Sequence, residues 1–220
     1  MTADSPYRVP GVERTVEIPA GTNLLVVASE PVGREWVLDG LATGVHEDEH
    51  VLLITADDPA GSVVTDLRQR AGQEADSVTD HLQVIDCQTD EFDTEATSQD
   101  VNTPRNLTDI GISFKDALDE FEAADAERIR FGLLSLSILL SYIDQETCYR
   151  FCQTLTRALE QEGAVGQFLL NANAHDDETV RTLQRAFDGT VEIERRDDGH
   201  EIRITGIDGV SEEWVQLDSS

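Results

Sequence analysis

Lysine is almost absent from this chain of 220 residues: of its 16 basic residues only Lys115 is a lysine, and they face 45 acidic ones. The arginines are dispersed among carboxylates, so no basic stripe is available for counterion release, which excludes direct DNA or RNA binding. Long apolar runs are also missing. No stretch approaches the roughly 18 to 20 apolar residues that a membrane helix needs. The opening M-T-A-D-S-P-Y-R lacks a charged-then-apolar leader, so a cytoplasmic protein without membrane contact is expected. Cysteine is scarce and odd in number, at three, which fits a reducing compartment better than a disulfide framework. Internal repeats are absent.

What the chain has in excess is acid, with a formal charge of −29. Such a surface would repel itself in dilute buffer, but near-molar salt shrinks the Debye length to roughly 3 Å. The carboxylates then keep the protein hydrated and soluble. The composition therefore reads as adaptation to a halophilic cytoplasm. At 39% hydrophobic residues, the chain can still bury a sheet between helices.

Short apolar runs alternate with helical patterns. Leu24 to Val27 precedes a helix at 34–43, Val51 to Ile54 a helix at 60–71, and Leu82 to Ile85 a helix at 108–124. A strand near 129–134, a helix at 145–161, a strand at 167–170 and a helix at 177–187 follow. The strands 190–194 and 201–204 then read as an antiparallel hairpin across Asp197-Asp198-Gly199. This rhythm predicts an α/β fold with a mostly parallel sheet buried on both faces, in a single domain over residues 1–220. The segment 88–106, Q-T-D-E-F-D-T-E-A-T-S-Q-D-V-N-T-P-R-N, has the composition of a mobile acidic loop.

The turn after the first long run, A-S-E-P-V-G-R-E at 28–35, stands where a phosphate-binding loop belongs. Such a loop, G-x-x-x-x-G-K-[ST], needs glycines for backbone N–H groups to curl around phosphate, a lysine to neutralise it and a hydroxyl for Mg²⁺. Here Ala28 replaces the first glycine, Ser29 and Glu30 follow it, Gly33 is kept, Arg34 replaces the lysine and Glu35 the hydroxyl. One carboxylate some 4 Å from a phosphate charge costs on the order of 4 kcal/mol at an effective dielectric of about 20.

The stretches I-P-A-G-T-N-L-L-V-V-A-S at 18–29 and V-L-L-I-T-A-D-D-P at 51–59 resemble the RecA-like ATPase domain of the KaiC group. So do S-L-S-I-L-L at 135–140, Y-R-F-C-Q-T-L-T-R-A-L at 149–159, H-D-D-E-T-V-R-T-L at 175–183 and F-D-G-T-V-E-I at 187–193. The resemblance runs from about residue 11 to 216 and implies a RecA-like three-layer sandwich. It also implies that Asp57 and Asp58 match the pair supplying the water-activating carboxylate, and that the Mg²⁺-linked aspartate is replaced by Leu134. With both Mg²⁺ anchors gone, a lone acidic pair cannot drive phosphoryl transfer.

A catalytically inactive domain follows as the expectation: no catalytic residue, no cofactor, no metal, and a vestigial pocket at Ala28, Ser29, Glu30, Gly33, Arg34 and Glu35. Its role would be regulatory or scaffolding, through a protein partner or self-association. The alternative is an atypical ATPase that binds ATP and Mg²⁺, with Arg34 as phosphate clamp and Asp57 or Asp58 orienting water. A third reading makes the acidic segment 88–106 a contact surface.

Other constellations read as structural. His46-Glu47-Asp48-Glu49-His50 spells H-E-x-x-H, but it sits between Gly44 and a strand, in a charged loop rather than on a zinc-binding helix face. Cys87, Cys148 and Cys152 read as buried small hydrophobes. His175, Asp176 and Asp177 follow a strand end where α/β sheets place sites, yet helix capping accounts for the aspartates. Arg195 and Arg196 could reach a neighbour's nucleotide in a ring, or simply face Asp197 and Asp198. The sequon Asn106-Leu107-Thr108 is silent in a cytoplasmic chain.

Overall fold

The structure, a computed structural model, describes residues 5–10, 16–72, 81–87, 98–100, 104–197 and 199–217. A short antiparallel ribbon, β1 (Tyr7–Val9) and β2 (Val16–Ile18), leads into β3 (Asn23–Ala28), α1 (Val32–His46), β4 (His50–Thr55), α2 (Ala60–Ala71) and β5 (Leu82–Asp86). Then come β6 (Ser98–Asp100), α3 (Leu107–Ala123), β7 (Ile129–Leu133), α4 (Leu136–Tyr142), α5 (Gln145–Gln161) and β8 (Val165–Asn171). A 3₁₀ turn (Ala172–Ala174), α6 (Asp177–Gln184), β9 (Gly189–Arg196), β10 (Gly199–Thr205) and β11 (Val215–Leu217) complete the order.

The main sheet runs β11-β10-β9-β3-β8-β7-β4-β5-β6. From β9 to β6 every pairing is parallel, and β10 and β11 add an antiparallel edge. Helices α1 and α2 and the ribbon cover one face, α3 to α6 the other, so each central strand feeds two cores. Leu24 and Val26 of β3 point to the first and Leu25 to the second, which explains its unbroken apolar run. No helix among the described residues is long and apolar enough to cross a membrane.

The expected α/β alternation is present, and the hairpin is antiparallel with Ile202 opposite Ile193. Three differences have physical reasons. Helix α6 stops at Gln184 rather than 187, because Ala186 and Phe187 turn away and the Phe187 ring packs on Phe168. S-L-S-I-L-L forms the start of α4, capped by Ser135 Oγ, which accepts from the Ile138 amide. Of the expected loop at 88–106, residues 88–97 and 101–103 lie outside the described residues, while 98–100 pairs with β5 as a strand.

Helix α1 lies unusually close to the sheet, and three glycines permit it. A Cβ on Gly33 would sit 2.7 Å from Ala28 Cβ and Leu169 Cδ1, one on Gly40 2.4 Å from Gln167 Nε2, and one on Gly44 2.8 Å from Arg130 Nε. Each helix-interior glycine costs about 1 kcal/mol against alanine, so the close packing must offset that cost. By contrast, Gly111 in α3 meets nothing within 4 Å.

Beneath the far end of α1, Glu49 and Arg130 are wholly buried and Arg128 nearly so. Glu49 accepts from Arg128 Nε at 2.9 Å and from Arg130 Nε at 2.7 Å. The same guanidinium groups donate to the carbonyls of Ser5, Pro6 and Arg8, and Arg128 stacks 3.8 Å from the Tyr7 ring centre. One carboxylate thus pairs with two arginines, whose remaining N–H groups tie the ribbon to the sheet.

Two outcomes follow for equilibrium denaturation in molar KCl. Gly111→Ala is expected to stabilise by about 1 kcal/mol, whereas Gly40→Ala loses about 1–3 kcal/mol through overpacking and couples to Gln167→Ala in a double-mutant cycle. Glu49→Ala strands two buried guanidinium groups and is expected to cost about 3–5 kcal/mol.

Candidate functional site

The parallel strands β3, β4, β7 and β8 end at one edge, where open α/β sheets carry their sites. The loop after β3 turns through Ser29, Glu30 and Pro31 into α1. Proline at 31 supplies no N–H, the Gly33 amide donates to the Ser29 carbonyl at 3.2 Å, and the Glu35 amide to the Pro31 carbonyl at 3.0 Å. Glu30 and Glu35 are exposed, Ser29 half-buried and Ala28 buried. Gly33 is occupied in helix-to-strand contact.

Arg34 points across to β4 and α2. Its Nε donates to Asp58 Oδ2 at 2.9 Å and its Nη1 to Asp66 Oδ2 at 2.9 Å, with Nη2 2.8 Å from Asp58 Oδ2. The two carboxylates hold the guanidinium above its ordinary pKa against the opposing effect of burial, which is the largest single influence. Arg34, Asp58, Gly61, Ser62, Thr65 and Asp66 line an open polar depression of about 520 Å³. Both aspartates are more than a third exposed, so each pair adds only about 0–1 kcal/mol to stability. Their consequence is geometric, because the fork is already spoken for.

Asp58 is held in place by Thr55, whose Oγ1 donates to the Asp58 carbonyl at 2.8 Å. Asp86 at the end of β5 accepts from the Ala60 amide at 2.8 Å and so caps α2. Leu134, one residue past β7, is 1% exposed and belongs to the core beneath α1. Asp57 is half-buried. Burial above all, then the charges of Asp58 and Glu30, lift its carboxyl above the ordinary range, against its own backbone hydrogen bond and Arg34.

Sequence reasoning singled out Arg34, Asp57 and Asp58 but missed Asp66, Pro31 and Asp86. Asp66 was hidden because its link to Arg34 spans 32 positions and two elements. The remaining candidates lie apart. Asp176 caps α6 by accepting from the Thr179 amide at 2.9 Å, and that bond, first among its causes, depresses its pKa. Asp177 faces Arg181. His175 Nε2 lies 2.9 Å from Ser137 Oγ, which also accepts from the Asn171 amide. Arg196 pairs with Glu194 and Glu201 across the hairpin and stacks on Trp214, in place of the expected Asp197; Asp198 is outside the described residues and Arg195 is exposed.

The cysteines are buried, and burial pushes the Cys87 thiol up to about 12. Asn106 caps α3 by accepting from the Asp109 amide. H-E-x-x-H is split: His46 is exposed in the last turn of α1, Asp48 takes a left-handed φ of 57°, Glu49 is the buried ion-pair partner, and His50 opens β4. Among the described residues, no group of three or more His, Cys, Asp or Glu side chains could hold a metal ion.

Because the folded state keeps the Asp57 proton to higher pH than the unfolded chain does, ionised Asp57 costs stability at neutral pH. Asp57→Asn is therefore expected to stabilise the protein at neutral pH, with the gain shrinking as pH falls toward about 4. Denaturation midpoints across that range check it, and a gain independent of pH would refute it.

No curated protein matches this chain. A family model does match, over residues 21–193, from just before β3 into β9. The chain belongs to DUF7504, a family of unknown function.

Proposed function

We propose that this chain is a catalytically silent RecA/KaiC-like domain that acts as a regulatory or scaffolding module through protein contacts in a halophilic cytoplasm. Support for the ancestry comes from the order of parts: β3, altered loop, α1, then β4 followed by Asp57-Asp58, with β7 followed by Leu134 beside it. These parts share one edge of a parallel sheet, as the sequence resemblance implies.

One observation carries the loss of chemistry. Arg34, the only basic residue of the loop, is committed to Asp58 and Asp66. Recruiting it to a phosphate would leave two carboxylates beside the newcomer, each costing on the order of 4 kcal/mol at 4 Å and an effective dielectric of about 20. The residues present do not fit a triphosphate with Mg²⁺. The loop lacks an amide at Pro31, its Gly33 amide is already bonded, Glu35 stands where the metal hydroxyl would be, and Leu134 offers no oxygen. The same geometry weighs against an ATPase in which Arg34 clamps phosphate while Asp57 or Asp58 orients water. The fold presents exposed loops at this sheet edge, which suits partner contact.

Isothermal titration of the full chain with ATP and Mg²⁺ in about 2 M KCl, a salt level at which surface repulsion is screened, is expected to give no saturable heat. A micromolar Kd would overturn the proposal.

A further inference from the structure

H-E-x-x-H pairs His50 with the wrong histidine. In the fold, the neighbour of His50 is His81, 31 positions along and at the amino end of the adjacent parallel strand, where the Val51 amide donates to the His81 carbonyl at 2.7 Å. The two imidazole rings lie 4.6 Å apart between centroids, inclined at 63°. Phe121 packs against the His50 ring at 4.9 Å. Both histidines are half-buried, and His81 Nδ1 is enclosed without a hydrogen-bond partner among the described residues.

An orphaned buried nitrogen costs about 1–3 kcal/mol and calls for a partner. A proton donor is one answer; a metal ion is another, and the spacing admits it. Two imidazoles that share an ion at about 2.1 Å from each nitrogen have ring centres roughly 4.5 Å apart when the bond angle is near 90°. Burial, and then His81, lowers the pKa of His50 from the ordinary imidazole range.

We propose that His50 and His81 form a two-imidazole site for a borderline divalent transition-metal ion, with water completing its coordination. Imidazole nitrogens select copper, nickel or zinc over magnesium or calcium, and the expected affinity order puts Cu²⁺ first. The ion would join the amino ends of β4 and β5, at the sheet edge opposite the altered phosphate loop. The site is therefore independent of the nucleotide reading.

The test uses the full chain in about 2 M KCl at neutral pH, with Cu²⁺, Ni²⁺, Zn²⁺ and Mg²⁺ added singly. The expected result is one saturable site for the first three, none for Mg²⁺, and a Cu²⁺ electron paramagnetic resonance spectrum showing two imidazole nitrogens. His50→Asn and His81→Asn should each weaken Cu²⁺ binding more than about tenfold and drop the nitrogen count to one, while His46→Asn changes neither. The spectrum of the unsubstituted protein reads the site even if a variant fails to fold. No saturable binding, a spectrum without two imidazole nitrogens, or binding that depends on His46 instead of His81 would overturn the proposal.

Discussion

The seating of α1 against the sheet is the constraint from which the rest of the site follows. Gly33, Gly40 and Gly44 let the helix descend until Leu169, Gln167 and Arg130 fill the space where side chains would stand. Fixing α1 at that height fixes the direction of Arg34, one residue on from Gly33, toward α2 and the end of β4. It also brings Gly44 over Glu49 and Arg130, so the buried ion cluster and the altered loop are the two ends of one contact. A wider gap would leave the Gln167 amide in a void, and it already lacks hydrogen-bond partners among the described residues.

Charge plays two separate parts here. On the surface, carboxylates are open to screening, and in molar salt they interact weakly beyond a few ångströms. Glu49 sits where salt cannot reach, and its pairing with two arginines is governed by desolvation, so removing it is far costlier than removing any surface acid. The Arg34 triad lies between these limits. Its pairs are partly exposed and weak in stability terms, yet they engage the one basic side chain of the loop after β3.

Much of this was legible in the sequence because parallel strands buried on both faces leave unbroken apolar runs, as in V-L-L-I, and helices leave a 3.6-residue period, as in 145–161. The three-residue strands β1, β2 and β11 were not legible, since Y-R-V, V-E-I and V-Q-L are too short to show any period. Links between distant elements were equally hidden: Arg34 to Asp66, Glu49 to Arg128 and Arg130, His50 to His81. Arginine in particular reads as surface, and nothing local to I-R-F-G-L announces that Arg130 is wholly buried.

Gly33 shows how a residue can match a sequence pattern for a packing reason. A phosphate loop wants that glycine so that backbone can approach an anion; a helix packed onto a strand wants it so that two carbon skeletons can approach each other. The second need is met here, with Ala28 and Leu169 in contact distance of the missing Cβ. Arg34, the next residue, has no such contact to satisfy and reaches instead to Asp58 and Asp66. Packing alone thus accounts for a glycine at this turn, with no phosphate required.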